Sequence, residues 1–232
     1  MRLSRPPVAL LLDMDGTLID SERLWFEAER AAVARFGGEL PASAEASLVG
    51  LDTDAMVEHV RSDYVPHVAN GELREAILRE VAGALVDVPA CEGAGELVEA
   101  ALRAGVRCAV VSNSDAAVVH QSLAPHPWAS ALAVRVSAAD VANPKPAPDL
   151  YLLALARLGL DAASCVALED SPTGARAATA AGLRCIGIAA DAEQRRALRR
   201  HTPHVVASLD TARRLLALDA PAAGAAARPS MP

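Results

Sequence analysis

Two aspartates, Asp13 and Asp15, stand two residues apart directly after the aliphatic run Val8 to Leu12. A continuous apolar run of that length suits a strand buried on both faces. Carboxylates just beyond the C-terminal end of such a strand face the crevice in which open parallel sheets hold their ligands. A calcium-binding EF-hand loop is excluded, because it needs glycine and glutamate where this chain has Leu18 and Leu24. Two more chemical clusters follow later aliphatic runs. Ser112-Asn113-Ser114, after Arg107 to Val111, offers hydroxyl and amide donors to an oxyanion. Glu169-Asp170, after Cys165 to Leu168, precedes Ser171 and a proline at a plausible first helical position, Pro172. The carboxylates of Asp13, Asp15, Glu169 and Asp170 are all hard oxygen donors, the set that favours Mg²⁺, an ion that keeps waters and substrate phosphate in its shell.

Lys145 is the only lysine of the chain, the other basic residues among the 22 Lys plus Arg all being arginine. A background that replaces lysine everywhere else implies that the compact ammonium matters at this position, beside a phosphoryl group and a carboxylate where a planar guanidinium fits poorly. Its setting, Asn143-Pro144-Lys145-Pro146-Ala147-Pro148, is a proline-braced loop.

The elements that must carry these residues alternate. Five aliphatic runs, Val8 to Leu12, Arg107 to Val111, Leu132 to Val136, Cys165 to Leu168 and Cys185 to Ile188, are separated by helical stretches at Ala94 to Ala104, Asp149 to Leu158 and Thr173 to Ala181, which end at Gly105, Gly159 and Gly182. That alternation predicts an α/β fold with a Rossmann-like parallel sheet. Between about Ser21 and Pro89 there is no strand run, only helical patterns at Leu24 to Phe36, Ala55 to Tyr64 and Glu72 to Leu85. A crossover needs only a dozen or so residues, so residues 21–89 read as an inserted helical cap, with 1–20 and 90–218 forming the core and 219–232 a disordered tail.

The 232 residues, 52% hydrophobic and 22% charged, can build a folded core. A net charge of -7 lowers the weight of nucleic-acid binding. Cys91, Cys108, Cys165 and Cys185 show no CxxC spacing and read as reduced thiols. No signal peptide or membrane-length apolar run is present, so a cytoplasmic protein without membrane partners is expected, and a monomer. Gly93-Ala94-Gly95 lacks the third glycine of a dinucleotide fingerprint and reads as the return to the core, and the basic residues from Arg195 to His201 read as a solvated helix face.

Taken together, DMDGTLIDSE, VVSNS, Lys145 in NPKPAPDLY and the LEDSPTGARAATAAG block resemble the haloacid dehalogenase-like superfamily, in its helical-cap group, over about Val8 to Ile188. The resemblance implies a Mg²⁺-dependent phosphatase acting on a small phosphorylated metabolite. Asp13 would be the nucleophile that becomes an aspartyl phosphate, and Asp15 the general acid and base. Ser112 and the Asn113 backbone would bind phosphoryl oxygens, and Lys145 would steady Asp13 and the phosphate. Asp170, with Glu169 nearby, would hold Mg²⁺ with Asp13 and the Asp15 carbonyl.

Within the superfamily, Asp15 argues for phosphoryl transfer, since dehalogenases have no alkoxide to protonate. Similar β-phosphoglucomutases carry a histidine where this chain has Trp25 and a cap arginine near Thr53. The stretch Asp20 to Trp25 looks more like the sugar-phosphate phosphatases, so a sugar or polyol phosphate is the expected substrate. The alternatives are a phosphosugar mutase and a catalytically silent binding module on the same fold. Gly50 to Asp54 falls where the cap of similar proteins reaches the active site, which makes Asp52 and Thr53 the expected substrate contacts. Their setting, with two aspartates and no cation, is expected to repel a second phosphate.

Overall fold

The computed structural model describes residues 5–219. Six parallel strands form one sheet: β1 (Ala9–Leu12), β2 (Arg107–Val111), β3 (Leu132–Val136), β4 (Cys165–Glu169), β5 (Arg184–Ile188) and β6 (Val205–Val206). Their order is β3-β2-β1-β4-β5-β6. The chain therefore winds outward from β1 in one direction and resumes at β4 in the other. The crevice between β1 and β4, at the carboxyl ends of the strands, is where such sheets bind ligands. Leu12 is in register with Val110 on one side and Leu168 on the other, so Asp13 emerges level with Val111 and Glu169.

Ten α-helices cover and extend this sheet among the described residues: α1 (Glu22–Arg35), α2 (Glu45–Leu48), α3 (Thr53–Tyr64), α4 (Asn70–Ala84), α5 (Ala94–Arg103), α6 (Ala116–Leu123), α7 (Asp149–Leu158), α8 (Pro172–Ala180), α9 (Ala192–Leu198) and α10 (Leu209–Leu215). Side chains of β1 alternate between two apolar layers. Leu10 and Leu12 join Cys108, Val110 and residues of α5, α6 and α10, whereas Ala9 and Leu11 join Ala109, Val111 and residues of α7 and α8. Strands enclosed on both faces have no need of polar alternation, which is why their sequences are continuous aliphatic runs. Gly159 closes α7 in the left-handed conformation, φ +63°, as the C-cap pattern predicts. None of the described helices is long and apolar enough to cross a membrane.

Residues 21–89 leave the sheet after β1 and return before α5. The two connections lie side by side: Asp20 N–H donates to the Pro89 carbonyl at 2.9 Å, and Cys91 N–H to the Leu18 carbonyl at 2.9 Å. Within this segment α1, α3 and α4 bury one stripe each, and their apolar residues continue into the layer that covers Leu10 and Leu12.

All five aliphatic runs are strands, and the six expected helices begin and end within two residues of the expected positions. The two-residue β6 and the helices α2, α6, α9 and α10 carry too little periodicity to be read from sequence. Of the expected tail, Asp219 is described and pairs with Arg213, while 220–232 lie outside the described residues. All four cysteines are free; Cys108, Cys165 and Cys185 are buried and Cys91 is half-buried.

Candidate active site

Lys145 lies in the crevice at the ends of β1, β2 and β4. Its Nζ donates to Asp13 Oδ1 at 2.5 Å, Glu169 Oε1 at 2.7 Å and the Val111 carbonyl at 2.8 Å, which uses all three ammonium protons. The lysine is 4% exposed. Burial alone would lower its pKa, but the facing charges of Asp13 and Glu169 outweigh that and raise it, so the ammonium is retained. The loop holding it is fastened to the end of β2 by Asn113, whose Oδ1 accepts from Lys145 N–H at 2.8 Å and whose Nδ2 donates to the Lys145 carbonyl at 3.0 Å.

Glu169 is fully buried and its oxygens are committed. Oε1 also accepts from Tyr151 Oη at 2.5 Å and Oε2 from Ser171 Oγ at 3.4 Å. A Cβ on Gly174 would fall 2.0 Å from those oxygens, so the first turn of α8 can pass over Glu169 only as glycine. Asp170 is directed into the cleft, with Thr17 Oγ1 donating to Oδ1 at 3.2 Å and Gln194 Nε2 to its carbonyl at 3.1 Å. Gly16, at φ +76°, brings the loop after β1 against it: a Cβ there would lie 2.3 Å from Asp170 Oδ2.

Asp13, Glu169 and Asp170 each present an oxygen within 4.8 Å of the others. Three carboxylates against one ammonium leave two negative charges, the charge a divalent cation balances. The crowding is visible in their acidity. Burial and the neighbouring Glu169 push Asp13 up to about 8 although Lys145 pulls it down. Burial, then Asp13, Glu169 and Glu22, raise Asp170 well above the usual range. An all-oxygen, buried set with an excess of negative charge fits a hard divalent cation.

Asp15 is half-buried and faces the same cleft. Oδ1 accepts from Ser21 Oγ at 2.6 Å and Trp25 Nε1 at 3.4 Å; Oδ2 accepts from Ser114 Oγ at 2.8 Å and Ser112 Oγ at 3.2 Å. Four donors from two segments, the start of α1 and the loop after β2, fix its direction. Ser112 also accepts from Ser114 N–H at 3.0 Å and is fully buried, so its hydroxyl orients Asp15, while Asn113 and Ser114 line the cleft.

Residues 21–89 line the cleft with Trp25, Phe26, Leu48, Leu51, Thr53 and Met56, and their loop reaches the end of β2 where Asn113 Nδ2 donates to the Gly50 carbonyl at 3.2 Å. Thr53 is buried and lines the cleft, as expected. Asp52 is a departure. Its Oδ1 accepts from Asp54 N–H at 3.1 Å and Ala55 N–H at 3.0 Å, capping α3, and it is absent from the cleft lining. Asp54 is exposed and paired with Arg74, which also bridges to Asp115 of the core. Neither aspartate lines the cleft, in contrast to the expectation that they meet the substrate there. The acidic residues lining the cap side are Glu22, Glu29 and Glu45 instead, and Lys145 is the only cation among the lining residues.

Glu22 and Tyr151 have no role in the sequence reading. Glu22 lines the cleft with Asp170, and burial pushes its carboxyl up. A carboxyl three positions past Ile19 at a helix start, or an aromatic immediately after the proline-braced lysine loop, carries no sequence signal that separates it from a surface residue.

A sequence profile of the haloacid dehalogenase-like hydrolases matches residues 10–188. The chain belongs to that family. Hexitol phosphatase B of Escherichia coli is 31% identical over 84% of this chain and 89% of its own length. The crystal structure of CbbY from Rhodobacter sphaeroides, solved with xylulose 1,5-bisphosphate, superposes with a TM-score of 0.77 at 26% identity, over 88% of this chain and 95% of that one. A β-phosphoglucomutase from Clostridium difficile superposes with a TM-score of 0.78 at 17% identity, over 88% and 92%, and shares the fold. This haloacid dehalogenase-like chain is thus a hydrolase whose site residues converge where the family sheet binds its ligands.

Proposed function

We propose that the protein is a Mg²⁺-dependent phosphatase that hydrolyses a small sugar or polyol phosphate through an aspartyl phosphate on Asp13. The observation that carries this reading is Lys145 Nζ spanning Asp13 and Glu169 beside Asp170, an arrangement that holds Asp13 and Asp170 at the cleft in a cluster with more carboxylates than cations.

Asp13 Oδ attacks phosphorus, and the bond to the departing alkoxide breaks as Asp15 gives it a proton. Asp15 then takes a proton from the water that attacks the aspartyl phosphate, releasing inorganic phosphate and restoring Asp13, acid–base work contributing typically about 10²- to 10⁴-fold. Lys145 holds Asp13 in line and offsets its repulsion from the phosphoryl oxygens, and Glu169 with Tyr151 holds Lys145. The Ser114 hydroxyl and Asn113 lie at the cleft surface where those oxygens would rest. Bound Mg²⁺, held by Asp13, Asp170 and the Asp15 carbonyl, would neutralise charge on the phosphoryl group. Residues 21–89 act as the cap that keeps bulk water out and selects the substrate.

A relative at 31% identity that is a hexitol phosphatase supports the substrate class. The bisphosphate bound to CbbY is a less favoured ligand here, because the cap side of the cleft offers carboxylates and no cation for a second phosphate. Purified protein assayed against phosphorylated metabolites should release phosphate from hexose or hexitol monophosphates with Mg²⁺ and lose that activity in EDTA. Activity insensitive to EDTA would contradict the metal assignment.

A further inference from the structure

Glu29 occupies a position that the helix pattern reserves for an apolar side chain. On α1 the buried residues Phe26, Glu29 and Val33 follow one another at i, i+3 and i+7, the stripe that packs against α4 and α3. Glu29 is 4% exposed, and its Oε2 has no hydrogen-bond partner among the described residues. Glu169, equally buried, has a lysine, a tyrosine and a serine. A buried carboxyl without partners is destabilising and persists only where something else uses it. Glu29 lines the cleft, beside Phe26, Leu48 and Met56 and near Glu45. The other two buried orphan atoms, on Ser122 and His126, belong to residues that do not line it.

We propose that Glu29 reads the substrate, exchanging hydrogen bonds with a hydroxyl of a sugar or polyol chain at the end remote from its phosphate. This deepens, and rests on, the phosphatase reading above. The cap side around Glu29 is otherwise apolar or acidic apart from Thr53, which disfavours an anionic far end and leaves Glu29 as the buried group still to be matched. Burial, with Glu45 adding to it, pushes Glu29 up to about 8, so near neutral pH it carries a proton. One oxygen then donates and the other accepts, which is the complement of an alcohol, itself donor and acceptor.

The test compares wild type, Glu29→Gln and Glu29→Met on sorbitol 6-phosphate, n-hexyl phosphate, glucosamine 6-phosphate and p-nitrophenyl phosphate. Wild type should prefer sorbitol 6-phosphate over n-hexyl phosphate by about 10-fold or more in kcat/KM, because an unmatched buried polar group penalises the alkyl chain. Glu29→Met should raise KM for sorbitol 6-phosphate by a similar factor, erase that preference, change kcat/KM for p-nitrophenyl phosphate by much less than for sorbitol 6-phosphate, and melt no lower than wild type. Glu29→Gln, which still donates and accepts, should keep most of the preference. Wild-type hydrolysis of p-nitrophenyl phosphate with no preference for the polyol over the alkyl chain would overturn the role of Glu29 while leaving the phosphatase reading intact. A preference undiminished in Glu29→Met, or one confined to glucosamine 6-phosphate, would overturn it as well. Absence of p-nitrophenyl phosphate hydrolysis would instead defeat the phosphatase reading on which it rests.

Discussion

The two walls of the cleft are built on opposite terms. On the sheet side Lys145 makes three hydrogen bonds, Glu169 accepts from three groups and Asp15 from four, so each side chain is held by groups from other strands and loops. On the cap side Ser21 and Trp25 donate across to Asp15 and Arg74 pairs with Asp115, whereas Glu29 is left with an unused oxygen among apolar neighbours. A site prepared in advance for charge stabilises the reacting group, whereas unsatisfied groups are completed by what binds. In the function proposed above, the difference would separate chemistry, fixed by the sheet side, from selection, left to residues 21–89.

Substitutions on the sheet side should therefore damage turnover itself. Asp13→Asn removes the attacking oxygen and should lower kcat by at least about 10³-fold with every substrate, including p-nitrophenyl phosphate, while circular dichroism stays that of a folded protein. Wild-type turnover in this variant would dissolve the contrast. Lys145→Arg keeps the charge but forces a planar fork into a space sealed by Asp13, Glu169 and the Val111 carbonyl, and should cost about 10²-fold in kcat. Full activity would make the lone lysine an accident of composition. Asp170→Ala should raise the Mg²⁺ concentration for half-maximal activity by about 10-fold or more, read from a metal titration. The smallest effect should come from the cap: Asp52→Ala loses the N-cap of α3, about 1 kcal/mol in denaturant unfolding, with kcat/KM unchanged. A selective loss of substrate affinity there would return Asp52 to the substrate.

The same contrast governs how much could be read from the chain. Core strands are enclosed on both faces, so their aliphatic runs are continuous, and the catalytic types follow them within two residues at Asp13, Ser112 and Glu169. Lys145 was visible through composition alone. The cap is different because its polar residues serve folding and binding with the same side chains. Asp52 has the residue type of a substrate contact and the position of a helix cap, and capping wins because two backbone N–H groups of α3 lie within reach. Glu29 reads as one more glutamate in an alanine-rich helix until its burial is known. Glu22 and Tyr151 join the site beside residues more than 100 and nearly 20 positions away, at Asp170 and Glu169, and no local pattern encodes such pairs.

Trapping the covalent intermediate bears most directly on Asp13. In Asp15→Asn the group that activates water is gone, while p-nitrophenolate leaves without needing a proton. With p-nitrophenyl phosphate and Mg²⁺, that variant should give a burst of p-nitrophenolate stoichiometric with enzyme, followed by slow turnover, and peptide mass spectrometry of the quenched protein should find one phosphoryl group on Asp13. A phosphoryl group on another residue, or turnover with neither burst nor covalent phosphate, would contradict nucleophilic attack by Asp13.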